Sequence, residues 1–311
     1  MLQYTAGQWL FFFYFYCFCG WCIESAYVSV KDRKLTNRGF MRGPFLPLYG
    51  SGATMMLIVS IPFQNMELSW RVIFTYLAGC VGATVLEYIT GTVMEALFKV
   101  RYWDYSNQKF NIKGRVCLGT SLSWGFLTIA MTEVVHVHVE RMVLAIPGRV
   151  LSAVTLVLTA AIFADFALAF KAAIDLRDVL LKMEQAKAEM VRIRERLDVI
   201  IASASESAGN YKDDFVRSVS DLKKGIDARL EGIKTAIHTK PGEFSDSAKS
   251  EIMELKEKYI INWENHDRLR SLKDFFQRGM IRSNPGMTSV EYKESLDELK
   301  EEVTGKKKDE S

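Results

Sequence analysis

Charge is what the start of this sequence lacks. No Lys or Arg precedes Lys31, and Glu24 is the one acidic residue before it. A cleavable secretory signal needs a basic n-region and a short aliphatic core, and the run from Trp9 to Trp21 is too long and too aromatic for that. Catalytic signatures are missing as well. No G-x-x-x-x-G-K-[ST] occurs, so the chain does not hydrolyse ATP by a P-loop mechanism, and Gly305-Lys306-Lys307 lacks the required context. There is no H-E-x-x-H and no nucleophilic serine motif. Histidine is scarce, at 4 residues, and His136 and His138 fall on nearly opposite faces of a helix, which disfavours chelation. These absences predict a chain that is not an enzyme and has no cofactor and no metal site.

The overall composition, 49% hydrophobic and 25% charged with net charge +3, averages two unlike parts. Residues 1–170 are apolar and aromatic, whereas from Lys171 onward Lys, Arg, Glu and Asp recur every few positions. The signs there are mixed, so the tail is not expected to bind nucleic acid. Five apolar runs, near 7–30, 44–63, 71–98, 117–138 and 150–170, approach the length of about 20 residues that crosses a bilayer. Tyr4, Trp9, Trp70, Tyr102, Trp103 and Trp124 sit near run ends, as interfacial aromatics do. Lys31, Arg33, Lys34, Arg38 and Arg42 crowd the first loop, and Lys99, Arg101, Lys109, Lys113 and Arg115 the third. The positive-inside rule then gives N-terminus out and C-terminus in, which requires an odd number of spans. The expected fold is all-α: a polytopic bundle of about five transmembrane helices over 1–170, then a helical, partly coiled-coil cytoplasmic tail over 171–311.

In the tail, Leu176, Val179, Met183, Ala186, Met190, Ile193, Leu197 and Ile200 form an a/d heptad seam, with no Pro or Gly between it and the fifth span. The seam fits a homodimer through residues 176–200 or an intramolecular hairpin. A break is expected over 203–210, and a second helix through Phe215, Val219, Leu222, Ile226 and Ile233. Lys240-Pro241-Gly242 ends that helix. A third, from Ile252 to Phe276, stops at Asn284-Pro285-Gly286. Thr288-Ser289-Val290-Glu291 reads as a capping box opening a last helix through Leu296, Leu299 and Val303.

Ionisable groups within spans are costly and mark functional candidates. Glu24, Glu95 and Asp165 each lie within about six residues, or about 9 Å, of a cytoplasmic helix end. Arg38, Arg42, Arg101 and Arg115 occupy loops on that side, so a carboxylate–arginine cluster is expected at the cytoplasmic mouth. Glu87, Thr90, Gly91 and Glu95 follow one helical ridge, and Gly79 and Ala83 have the small-xxx-small spacing of close helix contact. The stretch Asn37–Gly52 holds Pro44 and Pro47 with Gly39, Gly43, Gly50 and Gly52, which forbids a regular helical entry. Irregular backbone at membrane depth lines a cavity or is buried in protein; a tight turn is the other reading. Cys17, Cys19 and Cys22 form C-x-C-x-x-C within span one. They read either as a dithiol or as small apolar fillers.

Several motifs together are similar to a bacterial membrane family. They are Gly20-Trp21 with Glu24-Ser25; Asn37-Arg38-Gly39-Phe40 with Gly43-Pro44, Pro47 and Tyr49-Gly50; and Glu87-Tyr88-Ile89-Thr90-Gly91 with Glu95. Arg101-Tyr102-Trp103-Asp104-Tyr105-Ser106, Phe110-Asn111, Gly114-Arg115-Val116-Cys117 and Ser123-Trp124-Gly125 continue the match. They resemble the family called putative ABC-transporter type IV, or CmpB-like permease, over roughly residues 10–130. Asn284-Pro285-Gly286-Met287 is weakly similar to the ends of longer members, while the heptads and the span-one cysteines fall outside the pattern. The resemblance implies a multi-pass permease subunit of the bacterial inner membrane whose ATPase is a separate P-loop chain. It coincides with the polar residues Glu24, Arg38, Glu87, Glu95, Asp104 and Arg115, expected as a binding site. There the carboxylates bind a cation or proton or hold the arginines, and Arg38 and Arg115 neutralise them or contact an anion. The rival readings are a membrane-anchored coiled-coil scaffold recruiting a cytoplasmic partner, and a membrane thiol oxidoreductase.

Overall fold

The computed structural model describes residues 4–206 and 246–305. These residues are helical, with no strand among them and only two isolated bridges, Arg101 with Thr288 and Ile112 with Val116. The helices are α1 (Ala6–Asp32), α2 (Pro47–Ser60), α3 (Leu68–Phe98), α4 (Leu118–Ala130), α5 (His136–Leu144), α6 (Gly148–Glu206), α7 (Asp246–Arg270), α8 (Phe275–Ser283) and α9 (Lys293–Thr304). A 3-10 turn, Ile61–Phe63, extends α2, and a π-helical turn, Met131–Val135, joins α4 to α5.

Four stretches are long and apolar enough to cross a membrane: Ala6–Lys31, Leu68–Phe98, Leu118–Leu144 and Gly148–Ile200. The helix at Pro47–Phe63 is apolar but shorter. Its late start has a visible cause. After α1 ends at Arg33 in the left-handed conformation, the Pro/Gly-rich segment turns back along α1, and the Leu46 amide donates to the Cys17 carbonyl at 3.0 Å. Cys17 is midway along α1, so α2 begins deep in the bundle, with Met41 and Leu46 buried just before it. The irregular segment thus takes the place of α2's first turns.

Close approach of helices depends on missing side chains. A Cβ on Gly20 would lie 2.3 Å from Tyr49, and one on Gly50 2.4 Å from Cys17 Sγ. A Cβ on Gly79 would lie 2.2 Å from Thr128 Oγ1, so Gly79 brings α3 against α4, and Ala83 is buried one turn on. Phe12, Tyr16, Met56, Leu57, Met131, Val143 and Leu151 form one apolar core, and Tyr14, Met41, Ile162 and Ala169 another.

The chain divides into two compact units, 1–178 with 272–311, and 179–271. The composition changes at residue 170, but α6 runs through that point without a break. The last segment, 272–305, returns to the first unit. In the second unit, Ile193, Leu197 and Ile200 of α6 pack on Ile252 of α7, flanked by Leu255 and Tyr259. That part of the heptad seam is therefore filled within the chain, as a hairpin does. Leu180 is fully buried at the seam position expected of Val179, which is half-buried.

Two tail boundaries differ from expectation. The third helix is interrupted after Arg270, and α8 starts anew because Asp274 caps the Gln277 amide at 2.8 Å. The capping box at Thr288–Glu291 does not form. Ser289 Oγ instead donates to the Lys99 carbonyl at 2.7 Å, Glu291 pairs with Lys99, and α9 begins at Lys293. Leu296, Leu299 and Val303 are buried as their spacing predicts. The helix expected over 215–233 and the Lys240-Pro241-Gly242 stop lie outside the described residues.

Candidate functional site

Glu87 and Glu95 are placed by α3, about two turns apart on one face. The loop that follows is built to reach back to them. Lys99 and Lys113 adopt positive φ, as does Gly114 at +70°. The Tyr105 amide donates to the Gly114 carbonyl at 2.7 Å, the Trp103 indole to the Arg115 carbonyl at 2.9 Å, and Asn111 ties its own turn to Gly114. Gly114 is required by space as well as conformation, because a Cβ there would lie 2.4 Å from Ser106 Oγ and 2.5 Å from Asp104 Oδ1.

This loop aims two arginines at one carboxylate. Arg101 meets Glu95 Oε1 at 2.9 Å, and Arg115 meets Oε2 through its Nη2 at 2.9 Å and its Nε at 3.0 Å. The side chains are only 14%, 15% and 19% exposed for Arg101, Arg115 and Glu95, so the pairs are shielded and stronger than surface ones. Asp104 stands 3.7 Å from Arg101 and accepts from Ser106. Arg115 also lies over the Tyr88 ring at 5.5 Å.

Glu24 and Arg38 form a second pair at 3.5 Å, and Tyr49 donates to Glu24 Oε2 at 2.7 Å. Glu87, 5% exposed, pairs with no arginine among the described residues; Tyr105 donates to it at 3.1 Å and Trp124 at 3.2 Å. Burial, then the Glu87 charge, raises the Tyr105 phenol above its usual range, so it remains the donor. Asp165 accepts the Gly43 amide at 2.8 Å and fixes the Pro/Gly segment; it makes no ion pair with an arginine among the described residues.

The cluster has a component from the far end of the chain. Asn284, at 2% exposure, accepts from Arg38 Nη1 at 3.0 Å and donates to the Gly39 carbonyl at 2.9 Å. Arg38 also donates to the Ser283 carbonyl at 3.2 Å. The Arg101 and Thr288 backbones exchange hydrogen bonds at 2.7 and 2.8 Å. Arg42 lies over Phe275 and Phe276, at 4.1 and 4.6 Å from the ring centres.

All six residues singled out by sequence thus belong to one neighbourhood, in three knots: Glu95–Arg101–Asp104–Arg115, Glu24–Arg38–Tyr49 and Glu87–Tyr105–Trp124. Sequence reasoning missed Asn284, Tyr49, Tyr105 and Trp124 as partners. Asn284-Pro285 reads as a helix stop, while the two tyrosines and the tryptophan fall in the shared motifs but carry no charge to mark them. Each carboxylate has matched donors, so the arrangement holds loops in place. Among the described residues no three His, Cys, Asp or Glu side chains gather to hold a metal ion. All the cysteines are free: Cys17 is buried, Cys19 half-buried and Cys22 exposed.

The model of the family described as Putative ABC-transporter type IV matches residues 11–170, which hold α1 to α5, the first part of α6 and all six predicted site residues. No curated protein and no solved structure matches the chain.

Proposed function

From the premise that the chain belongs to the Putative ABC-transporter type IV family, we propose that it is a permease-type subunit working with a separate P-loop ATPase in the bacterial inner membrane. In this reading α1, α2, α3, α4–α5 and the first part of α6 are five spans, with the N-terminus out and the C-terminus in. The short α2 completes its crossing with the buried, irregular segment before it. The carboxylate–arginine cluster then lies on the cytoplasmic side and has a mechanical role. Glu95 and Glu24 hold the arginines, which hold the loops and the C-terminal segment.

The observation that carries this reading is the join between Arg38 and Asn284. Through it, and through Arg101 with Thr288, loops 33–46 and 99–117 and residues 272–305 make one continuous cytoplasmic surface. An ATPase docked there would push on α1 and α3 directly, because a charged, shielded network transmits displacement with little slack. The test is an affinity pull-down of the tagged full chain in mild detergent, with partners identified by mass spectrometry. A P-loop ATPase recovered in stoichiometric amount, and lost in Asn284→Ala, supports the reading. Recovery of only the chain itself, or of a cytoplasmic non-ATPase, refutes it.

The second reading is a membrane-anchored scaffold, and α6 favours it. The helix Gly148–Glu206 is uninterrupted, and its second half forms the α6–α7 hairpin, whose outer face offers a docking surface for a cytoplasmic partner. Under it, Leu197→Asp, which disrupts the hairpin, abolishes partner recovery while leaving any solute uptake intact.

A further inference from the structure

At the end of the bundle away from the arginine cluster lies a second polar site. Tyr4 precedes α1 and Glu24 comes late in it, so the two ends are about 30 Å apart at 1.5 Å per residue. Here Ser60 and Gln64 at the end of α2, Arg71 and Thr75 early in α3, Thr132 and Glu133 in the π-helical turn, and Glu140 in α5 surround a cavity of about 280 Å³. Single π turns inside α-helices are frequent at functional sites, and this one supplies two of the lining residues.

The charge of the wall can be worked out. Arg71 and Glu133 pair at 2.9 Å and cancel, which leaves Glu140 as the net charge. Glu140 is held by a relay from the core. Tyr16 lies 2.8 Å from His136 Nδ1, His136 Nε2 lies 3.2 Å from the Tyr4 hydroxyl, and that hydroxyl donates to Glu140 Oε1. With the proton on Nε2, every bond in the chain runs toward Glu140, and neutral His136, itself fully buried, is satisfied at both nitrogens. Burial, then the Glu140 hydrogen bond, pushes the Tyr4 phenol up, so it stays a donor. Oε1 is therefore occupied, while Oε2 has no hydrogen bond among the described residues.

Two hydroxyls of the wall offer acceptors only. Ser60 donates to the Leu57 carbonyl at 2.8 Å and Thr132 to the Thr128 carbonyl at 2.9 Å. Each has spent its one proton on its own helix and offers only lone pairs. Thr75, at 2% exposure, lines the cavity and has no hydrogen-bond partner among the described residues. Its hydroxyl is not among the enclosed unpaired atoms, so it is open to the cavity and free to pair with a group placed there. The wall also holds one enclosed donor without a partner among the described residues, Arg71 Nε, which an uncharged oxygen of a solute can satisfy. The net charge decides the sign: an anion would face the Glu140 carboxylate, whereas a cation with N–H donors and a hydroxyl meets complementary groups.

We propose that this cavity binds a small ammonium-bearing solute, with its cationic head between Glu140 and Thr75. The inference does not rest on the permease reading, since binding is a property of the chain alone. The test is titration calorimetry on the purified full chain in detergent, in phosphate buffer because Tris is itself a hydroxylated amine. Ethanolamine, ethylene glycol and glycolate serve as cationic, neutral and anionic probes of similar size. Ethanolamine is expected to bind saturably, and the other two at least about tenfold more weakly, the loss set by one charge-assisted hydrogen bond. Glu140→Gln should weaken ethanolamine by about tenfold or more and Thr75→Val by several-fold, while Glu254→Gln, in the other unit, leaves it unchanged. Size-exclusion profiles identify variants that fold, and if Glu140→Gln does not, Thr75→Val and Thr75→Ser decide. No saturable ethanolamine heat, glycolate binding more tightly, or natively eluting variants that bind as the parent does would each overturn the proposal.

Discussion

Glu95→Gln tests whether the arginine cluster holds the loop between α3 and α4. The substitution keeps the shape and one acceptor oxygen but removes the charge that Arg101 and Arg115 share. Three charge-assisted contacts of 2.9, 2.9 and 3.0 Å converge on this carboxylate. Each such bond is worth about 1.5–3 kcal/mol alone, but these are coupled, and the groups keep some water. Breaking a well-buried pair by removing one partner costs about 3–5 kcal/mol. With 14–19% of the side chains still exposed, and an amide oxygen left to accept, about 2–3 kcal/mol is the reasonable figure. By the scaling of soluble domains, at about 2–4 °C per kcal/mol, the melting midpoint should fall by roughly 5–10 °C. Thermal unfolding in detergent, followed by fluorescence-detected size exclusion, reads this directly. Two controls sharpen it. Glu251→Gln, which breaks the exposed Arg196 pair, should leave the midpoint unmoved. The double variant Glu95→Gln with Arg115→Gln should cost less than the two single changes added, because one of the two stranded charges is gone. A fall below about 2 °C for Glu95→Gln, or strict additivity in the double variant, would show that these pairs hold nothing.

Asn284→Ala removes a buried link to both Arg38 and Gly39, at about 2–3 kcal/mol, and should free the C-terminal segment. Limited trypsin digestion should then cut at Arg278, Arg282 or Lys293 at least about tenfold faster; equal protection speaks against the link. Gly114→Ala places a Cβ within 2.5 Å of Asp104 at positive φ, and should lower the midpoint where Gly119→Ala, with no atom within 4 Å, should not. Leu197→Asp puts a charge between Ile193, Ile200 and Ile252, a cost above about 3 kcal/mol that should open the α6–α7 hairpin. Circular dichroism should show helix loss, and unchanged helicity would mean that the packing is not needed.

The long apolar runs made α1, α3, α4–α5 and α6 legible, because lipid-facing helices declare themselves by composition. The shared depth of Glu95 and the loop arginines was legible too, since opposite charges at one depth have few other partners. The depth at which α2 begins was not: Pro44 and Pro47 forbid a helix there but do not say that Leu46 reaches Cys17. The partners of Glu87 were invisible because Tyr105 and Trp124 donate without carrying charge. The Arg38–Asn284 contact was hidden by sheer separation, as nothing local in either segment specifies a residue so distant. Glu140 was overlooked because one acidic residue near a helix end looks like ordinary solvated surface.

The place of Asn284 in the arginine cluster also sets an order of events during synthesis. Arg38 leaves the ribosome 246 residues before its partner does, an interval of roughly 12–50 s at typical elongation rates of about 5–20 residues per second. Throughout it the end of the bundle that holds the arginines is unlatched, and the Gly39 carbonyl has water in place of Asn284. Emergence of Asn284, and not insertion of the last apolar helix, is therefore the moment at which this end of the bundle sets. A chain cut short anywhere before Asn284 keeps every apolar helix but leaves that end without its latch.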